Sequence, residues 1–287
     1  MNFKERIINA IYGQCVADAV GNFFEFKTNI NPNDVIEYAN TNDQLVISDD
    51  SQMAIFGFEA VKNLEDFDGS IEQKVRDSFA TSYLDWFDTQ SVGPSPHEFY
   101  EDCLMSFRSM YSIQAPGDTC LSALKSLSEG DVVKNTSMGC GGVMRLLPVV
   151  TFFENYPLSA AIRFGQITGH ITHKHPKNDA AIKKYIEAAY ATINDRKVIE
   201  ILADKISDLG DGWIAPECVD MAIWAYRKAE TFDDLIKTTC SIQGDSDSVA
   251  AVAGSLWGLS GREVPQKYIN KLDALDAIAW TVENIKK

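Results

Sequence analysis

Two short acidic stretches, Ser48-Asp49-Asp50-Ser51 and Gly244-Asp245-Ser246-Asp247-Ser248, are the residues of this chain best equipped for chemistry. Each sets carboxylates beside hydroxyls at what reads as a helix start. Such a set offers only hard oxygen ligands, which suits Mg²⁺, Mn²⁺ or Ca²⁺ rather than zinc or copper. If the fold brings the two stretches together, they make one metal site. Each also has a structural reading. Ser48 or Asp49 could cap the helix that follows, with Gln52 completing a capping box. Asp245-x-Asp247 begins like a calcium-binding loop, but Val249 and Ala250 stand where an oxygen ligand and a turn glycine are needed, and Leu256 replaces the closing glutamate. An aspartyl phosphotransfer site would need a buried strand before Asp245, whereas residues 238–244 are polar.

Three further segments could serve such a site. Ser137-Met138-Gly139-Cys140-Gly141-Gly142 reads as a glycine-rich loop running into an apolar helix. It is either a flexible turn or a pyrophosphate cradle built from backbone amides and a helix N-terminus. It lacks the Gly-Lys-Ser/Thr ending of a nucleotide triphosphate loop. Arg145, one turn into that helix, could meet a phosphate or an internal carboxylate. In Thr172-His173-Lys174-His175-Pro176 the two histidines would diverge on a helix, which argues against a zinc pair, and Pro176 marks a helix end. Asp18 and Glu25 lie on an otherwise apolar segment, where a buried carboxylate needs a partner. Asp118 reads as a helix cap and Trp213 as a partly buried packing residue.

The elements that must position these residues read as helices. Apolar residues recur at i, i+3, i+4 over 7–23, 53–64, 71–87, 98–110, 158–170, 179–193, 218–229 and 247–259. Strand alternation is scarce, and the apolar run 45–47 is too short to seed a sheet. The predicted fold class is all-α. Turn chemistry breaks the pattern at 29–33, 93–96, 115–118, 139–142 and 210–212, but none of these is a convincing interdomain linker, so residues 1–287 are read as a single domain.

Composition narrows the function. With 287 residues, 45% of them hydrophobic, there is ample material for one sizeable core. A net charge of -15 repels nucleic acid backbones and anionic membranes, so neither is expected as a partner. The six cysteines are scattered without a C-x-x-C pair and read as reduced thiols. With no signal-like apolar region and no spanning segment, a cytoplasmic location is expected.

Taken in order, the motifs from Asp18 to Gly261 resemble the ADP-ribosylglycohydrolase family, which includes the dinitrogenase-reductase-activating enzyme and the ADP-ribosyl-arginine hydrolases. The resemblance lies in Ala17-Asp18-Ala19-Val20-Gly21 with Glu25, Asp49 to Met53, Pro116 to Thr119, Gly139 to Arg145, Thr172 to Pro176, and Gly244 to Ser248. Ala17 in place of the usual first glycine, Val249 in place of a second threonine, and a single glycine before Asp245 are departures that bear on helix packing.

The resemblance implies an all-helical domain with two Mg²⁺ ions, Mn²⁺ being the alternative. Ser48, Asp49, Asp50, Asp245, Asp247 and Ser248 match the metal ligands. Glu25 matches a carboxylate beside metals and substrate and is cast as gate or general base. Glu25, Asp49 and Asp50 are the catalytic candidates. Ser137, Met138, Gly139, Cys140 and Gly141 match a diphosphate cradle, and His173 a ligand-contacting histidine. The implied activity is metal-dependent hydrolysis of the bond between ADP-ribose and a modified side chain, with protein or free ADP-ribosyl-arginine as the favoured substrate and a monomer as the acting form. Serine-linked ADP-ribose or O-acetyl-ADP-ribose hydrolysis is the alternative chemistry. A non-catalytic ADP-ribose-binding or immunity protein is the alternative class. A structural protein like the jellyfish crystallins would show eroded acidic motifs, and these are intact.

Overall fold

Seven side chains decide where helices begin. Asn2, Asn31, Ser48, Ser70, His175, Thr231 and Asp245 each precede a helix and accept a hydrogen bond from a backbone N–H in its first turn, supplying a partner that the helix cannot. The computed structural model describes residues 1–91 and 97–286. Among these the α-helices are α1 (Phe3–Phe24), α2 (Pro32–Thr41), α3 (Asp49–Lys62), α4 (Ile71–Thr89), α5 (Asp118–Ser128), α6 (Leu158–Gly169), α7 (Pro176–Ile193), α8 (Ala215–Lys228), α9 (Phe232–Cys240), α10 (Ser246–Leu259), α11 (Gln266–Ile269) and α12 (Leu275–Lys286). No strand or sheet occurs among the described residues. Two isolated bridges form among them, Leu45 with Leu272 and Gly139 with Ile214. The all-α expectation holds.

Three helices occupy the centre because their sequences leave no polar face to show to water. Every residue of α10 is buried, as are residues 49–60 of α3 and most of α1 from Ala10 onward. Small residues let α1 and α10 touch backbone to backbone. A methyl on Gly13 or Gly254 would run into the other's carbonyl, and one on Gly258 would strike Ala10. Nearer the site, a Cβ on Gly21 would lie 2.6 Å from Cα of Asp247. The hydroxyl of Ser246 then donates to the Gly21 carbonyl at 2.9 Å. This approach sets the C-terminal end of α1 against the N-terminal end of α10. The remaining helices pack their apolar faces around this centre in one contiguous core.

Some sequence expectations need correction. Residues 98–110 are not a helix but a chain of 3-10 turns, His97–Phe99, Leu104–Ser106 and Arg108–Tyr111. Asp102 adopts φ +51°, which no helix tolerates, and Leu104, Met105 and Met110 reach the core from separate turns. The apolar run after the glycine loop is likewise a 3-10 segment, Leu147–Glu154, where Pro148 and the β-branched Val149, Val150 and Thr151 disfavour an α-helix. Pro176 opens α7 instead of closing a helix. The turn expected at 93–96 lies outside the described residues. Among the described residues no helix is long and apolar enough to cross a membrane. All six cysteines are free thiols.

Candidate functional site

Asp18 does the first piece of positioning. It is fully buried on α1 and accepts hydrogen bonds from the Ser48 hydroxyl at 2.6 Å, the Ser48 N–H at 3.1 Å and the Ser51 N–H at 3.2 Å. Its carboxylate thus fastens the first turn of α3 onto α1. Ser48 is the helix cap, accepting from the Asp50 N–H at 3.2 Å. Gln52 does not complete a capping box. Its amide is engaged with the Ser112 carbonyl, the Trp86 indole and Gln90.

The three central helices bring their ends to one cavity of about 200 Å³. Glu25, the C-cap of α1, meets Asp49 and Asp50 from the start of α3, and Asp245, Asp247 and Ser248 from the start of α10. The two acidic stretches are therefore neighbours in space. Carboxylate oxygens of Glu25, Asp245 and Asp247 all lie within 4.8 Å of one another. Glu25, expected beside the ligand set, is thus grouped with its C-terminal half. Gly139, Cys140, Gly141 and His173 line the same cavity, with Asp118, Thr119 and Trp213 also facing the space. Ser48, Ser137 and Met138 do not line the space: Ser48 stands behind Asp50, and Ser137 and Met138 adjoin the glycine loop. Ser137 accepts from the Thr119 hydroxyl and the Gly139 N–H, and the Met138 carbonyl accepts from the Ala215 N–H.

Several roles differ from their sequence reading. Asp118 is the first residue of α5 and makes no capping bond. Trp213 is 42% exposed, its ring near-parallel to the exposed Phe26 at 6.3 Å between centroids. Arg145 meets neither a phosphate site nor a carboxylate directly. Its guanidinium is buried against the Tyr83 ring, the sulfurs of Met53 and Cys120, and Thr172. His175 caps α7 through Nδ1. Sequence reasoning did not single out Ala115, Cys120 or Met144, which complete the lining. The N–H of Gly117 also went unnoticed, and it donates to Asp49 at 3.2 Å.

Among the described residues no lysine or arginine lines the cavity. Burial and mutual repulsion, Asp247 foremost among the charges, push the Glu25 carboxyl up to about 9 and Asp49 up to about 8. Asp50, Asp245 and Asp247 are also raised, first by burial. Glu25 Oε2 and Asp50 Oδ1 are buried without a hydrogen-bond partner. The helix N-termini of α3 and α10 offer partial positive charge, which offsets only part of this repulsion. A crowded set of oxygen donors with orphaned lone pairs fits hard divalent cations, which would remove both the repulsion and the unsatisfied oxygens. Packing requires glycine at 141: a Cβ there would collide with Cys120 and His173.

In fold, the chain is similar to a solved structure described as an ADP-ribosylglycohydrolase-related protein complex, with a TM-score of 0.65 over 99% of this chain and 98% of that one. The two are 18% identical in sequence, so this likeness concerns the fold. The family profile for ADP-ribosylglycohydrolase matches residues 1–286, and the chain belongs to that family of hydrolases. A protein of Archaeoglobus fulgidus described as uncharacterized is 25% identical over 165 residues. The match covers 46% of this chain and 53% of that relative, about half the length of each.

Proposed function

We propose that this protein hydrolyses the glycosidic bond between ADP-ribose and a modified side chain, with arginine as the favoured leaving group, using two divalent cations held by the acidic cavity. The observation that carries the proposal is the meeting of both acidic stretches with the glycine loop and His173 around one space. Asp49, Asp50, Asp245 and Asp247 would hold the cations, with Ser248 beside them and Ser48 fixing the turn that presents Asp50. Bound there, the ions would supply Lewis acidity toward ribose oxygens and water.

The chain's own groups account for the rest. Glu25 is cast as the residue that takes a proton from the attacking water, since one of its oxygens has no partner. The backbone amides of Gly139 to Gly141, which line the cavity, would receive the diphosphate. Ser137 and Met138 would support that loop. Asp118 and the half-exposed Trp213 suit a planar cation better than a hydroxyl, which favours arginine over serine. Release of ADP-ribose from arginine-modified and serine-modified peptides, with Mg²⁺ or with EDTA, tests this. The proposal expects metal-dependent release from arginine. Release only from serine moves it to the alternative chemistry, and tight ADP-ribose binding without turnover to the binding-protein class.

A further inference from the structure

Arg145 is the least expected residue of the core. Its guanidinium is 1% exposed and has no carboxylate within ion-pair distance among the described residues. It is not part of the cavity wall, yet its shortest contact leads there. Arg145 Nη2 lies 2.6 Å from the Thr172 hydroxyl, and that hydroxyl lies 2.9 Å from Nδ1 of His173. Thr172 and His173 are both buried, and His173 faces the cavity.

Donor and acceptor chemistry fixes the direction of this chain. A guanidinium can only donate, so Thr172 Oγ1 must accept from Arg145. The single Thr172 proton then needs an acceptor, and of the two within reach, Nδ1 of His173 at 2.9 Å and the Cys120 sulfur, the imidazole nitrogen is the stronger. Were Nδ1 protonated instead, the Thr172 hydrogen would be left with the Cys120 sulfur, a weak acceptor that Arg145 already contacts. With Nδ1 accepting, a neutral imidazole carries its proton on Nε2. Burial and the Arg145 charge both disfavour the cation, holding His173 down at about 3. Nε2 makes no hydrogen bond among the described residues. A Cβ on Gly141 would sit 3.2 Å from it, and one on Gly139 would sit 3.5 Å away.

We infer that Arg145 and Thr172 are positioning residues that lock His173 in the Nε2–H tautomer, so that it presents one neutral hydrogen-bond donor to an acceptor oxygen of the ligand above the Gly139–Gly141 backbone. An uncharged donor beside backbone amides selects a ligand oxygen with a free lone pair, such as a phosphate or hydroxyl oxygen, and adds no charge that would oppose cations in the neighbouring carboxylates. The tautomer stands on the protein's own geometry, and only the identity of the ligand rests on the proposed function.

The test is two-bond ¹⁵N–¹H NMR of protein labelled at its four histidines, with His173→Gln to assign the signal. The expected spectrum of the unmodified protein at neutral pH has His173 protonated on Nε2 and bare on Nδ1. Protonation on Nδ1, or on both nitrogens, overturns the inference, and this result needs no variant to fold. In Thr172→Val the tautomer should become mixed and ADP-ribose affinity should fall roughly tenfold, the worth of one hydrogen bond, while Thr172→Ser restores both. Unchanged tautomer and affinity in a folded Thr172→Val would also refute it. Failure of the unmodified protein to bind ADP-ribose, with the Nε2–H tautomer observed, would count against the proposed function and leave the relay standing.

Discussion

Replacing Gly21 by alanine tests how the site is assembled. In an ordinary helix interior this change stabilises by about 1 kcal/mol. Here the new Cβ would lie 2.6 Å from Asp247 Cα, 2.7 Å from the Ser246 carbonyl oxygen and 2.8 Å from the Asp247 nitrogen. All three are backbone atoms, so no rotamer change relieves the clash. Ordinary contact begins near 3.4 Å, and α10 must therefore retreat by roughly 0.8 Å at its N-terminus. Overpacking of this kind costs about 1–3 kcal/mol, partly offset by the gain in helix propensity. A net loss of about 1 kcal/mol corresponds to a fall in Tm of roughly 2–4 °C. The functional effect should be far larger, because the displaced residues carry the acidic cluster, and a misplacement near 1 Å costs about 100-fold in rate. Gly57→Ala is the control, being comparably crowded, 2.8 Å from the Pro148 side chain, but remote from the cavity. Differential scanning calorimetry and a turnover assay should show modest destabilisation in both variants and a rate collapse in Gly21→Ala alone. Wild-type turnover in Gly21→Ala would refute the claim that this contact sets the site.

Asp245→Asn should abolish hydrolysis while leaving far-UV circular dichroism unchanged, and full activity would rule out a metal role for this residue. In EDTA its Tm should equal or exceed the wild type's, because one member of a mutually repelling buried cluster has been neutralised. Mg²⁺ at about 100 times its Kd should stabilise the wild type by about 2.7 kcal/mol and leave Asp245→Asn nearly unmoved in a thermal scan. Far from the cavity, burial raises the Glu59 carboxyl from 4.5 to about 7. The folded chain then holds this proton more tightly than the unfolded one, so its contribution is intact below pH 4.5 and is lost as pH rises through 7. Glu59→Gln keeps an acceptor for the Leu104 N–H and should gain stability over wild type from pH 4.5 to 7, with no gain below; parallel pH–stability curves would contradict this.

Long helices were legible because α1, α3 and α10 are apolar over most of their length, α4 and α7 repeat an apolar face, and all five have side-chain caps. Shorter helices escaped notice although their signals were present: Asn31-Pro32 opens α2 and the Thr231–Asp234 capping box opens α9. Periodicity misled over residues 98–110, where apolar spacing is met by separate 3-10 turns folding back on the core. The acidic residues could be named from sequence because hard-ligand chemistry is local. Their convergence was expected only through the family resemblance, since locally it depends on Gly13, Gly21, Gly254 and Gly258 allowing two helices to touch along their length. The indirect roles of Asp18, Arg145 and Thr172 were hidden, because a buried polar residue does not announce its partner in sequence.

The central claim is that acidic residues from opposite ends of the chain jointly hold divalent cations. Crystals grown with Mn²⁺ and measured for anomalous scattering test it directly. The account predicts two peaks in the cavity, contacted by carboxylates of Asp49 and Asp50 on one side and Asp245 and Asp247 on the other. Density confined to one acidic stretch, or none in the cavity at saturating Mn²⁺, would contradict it.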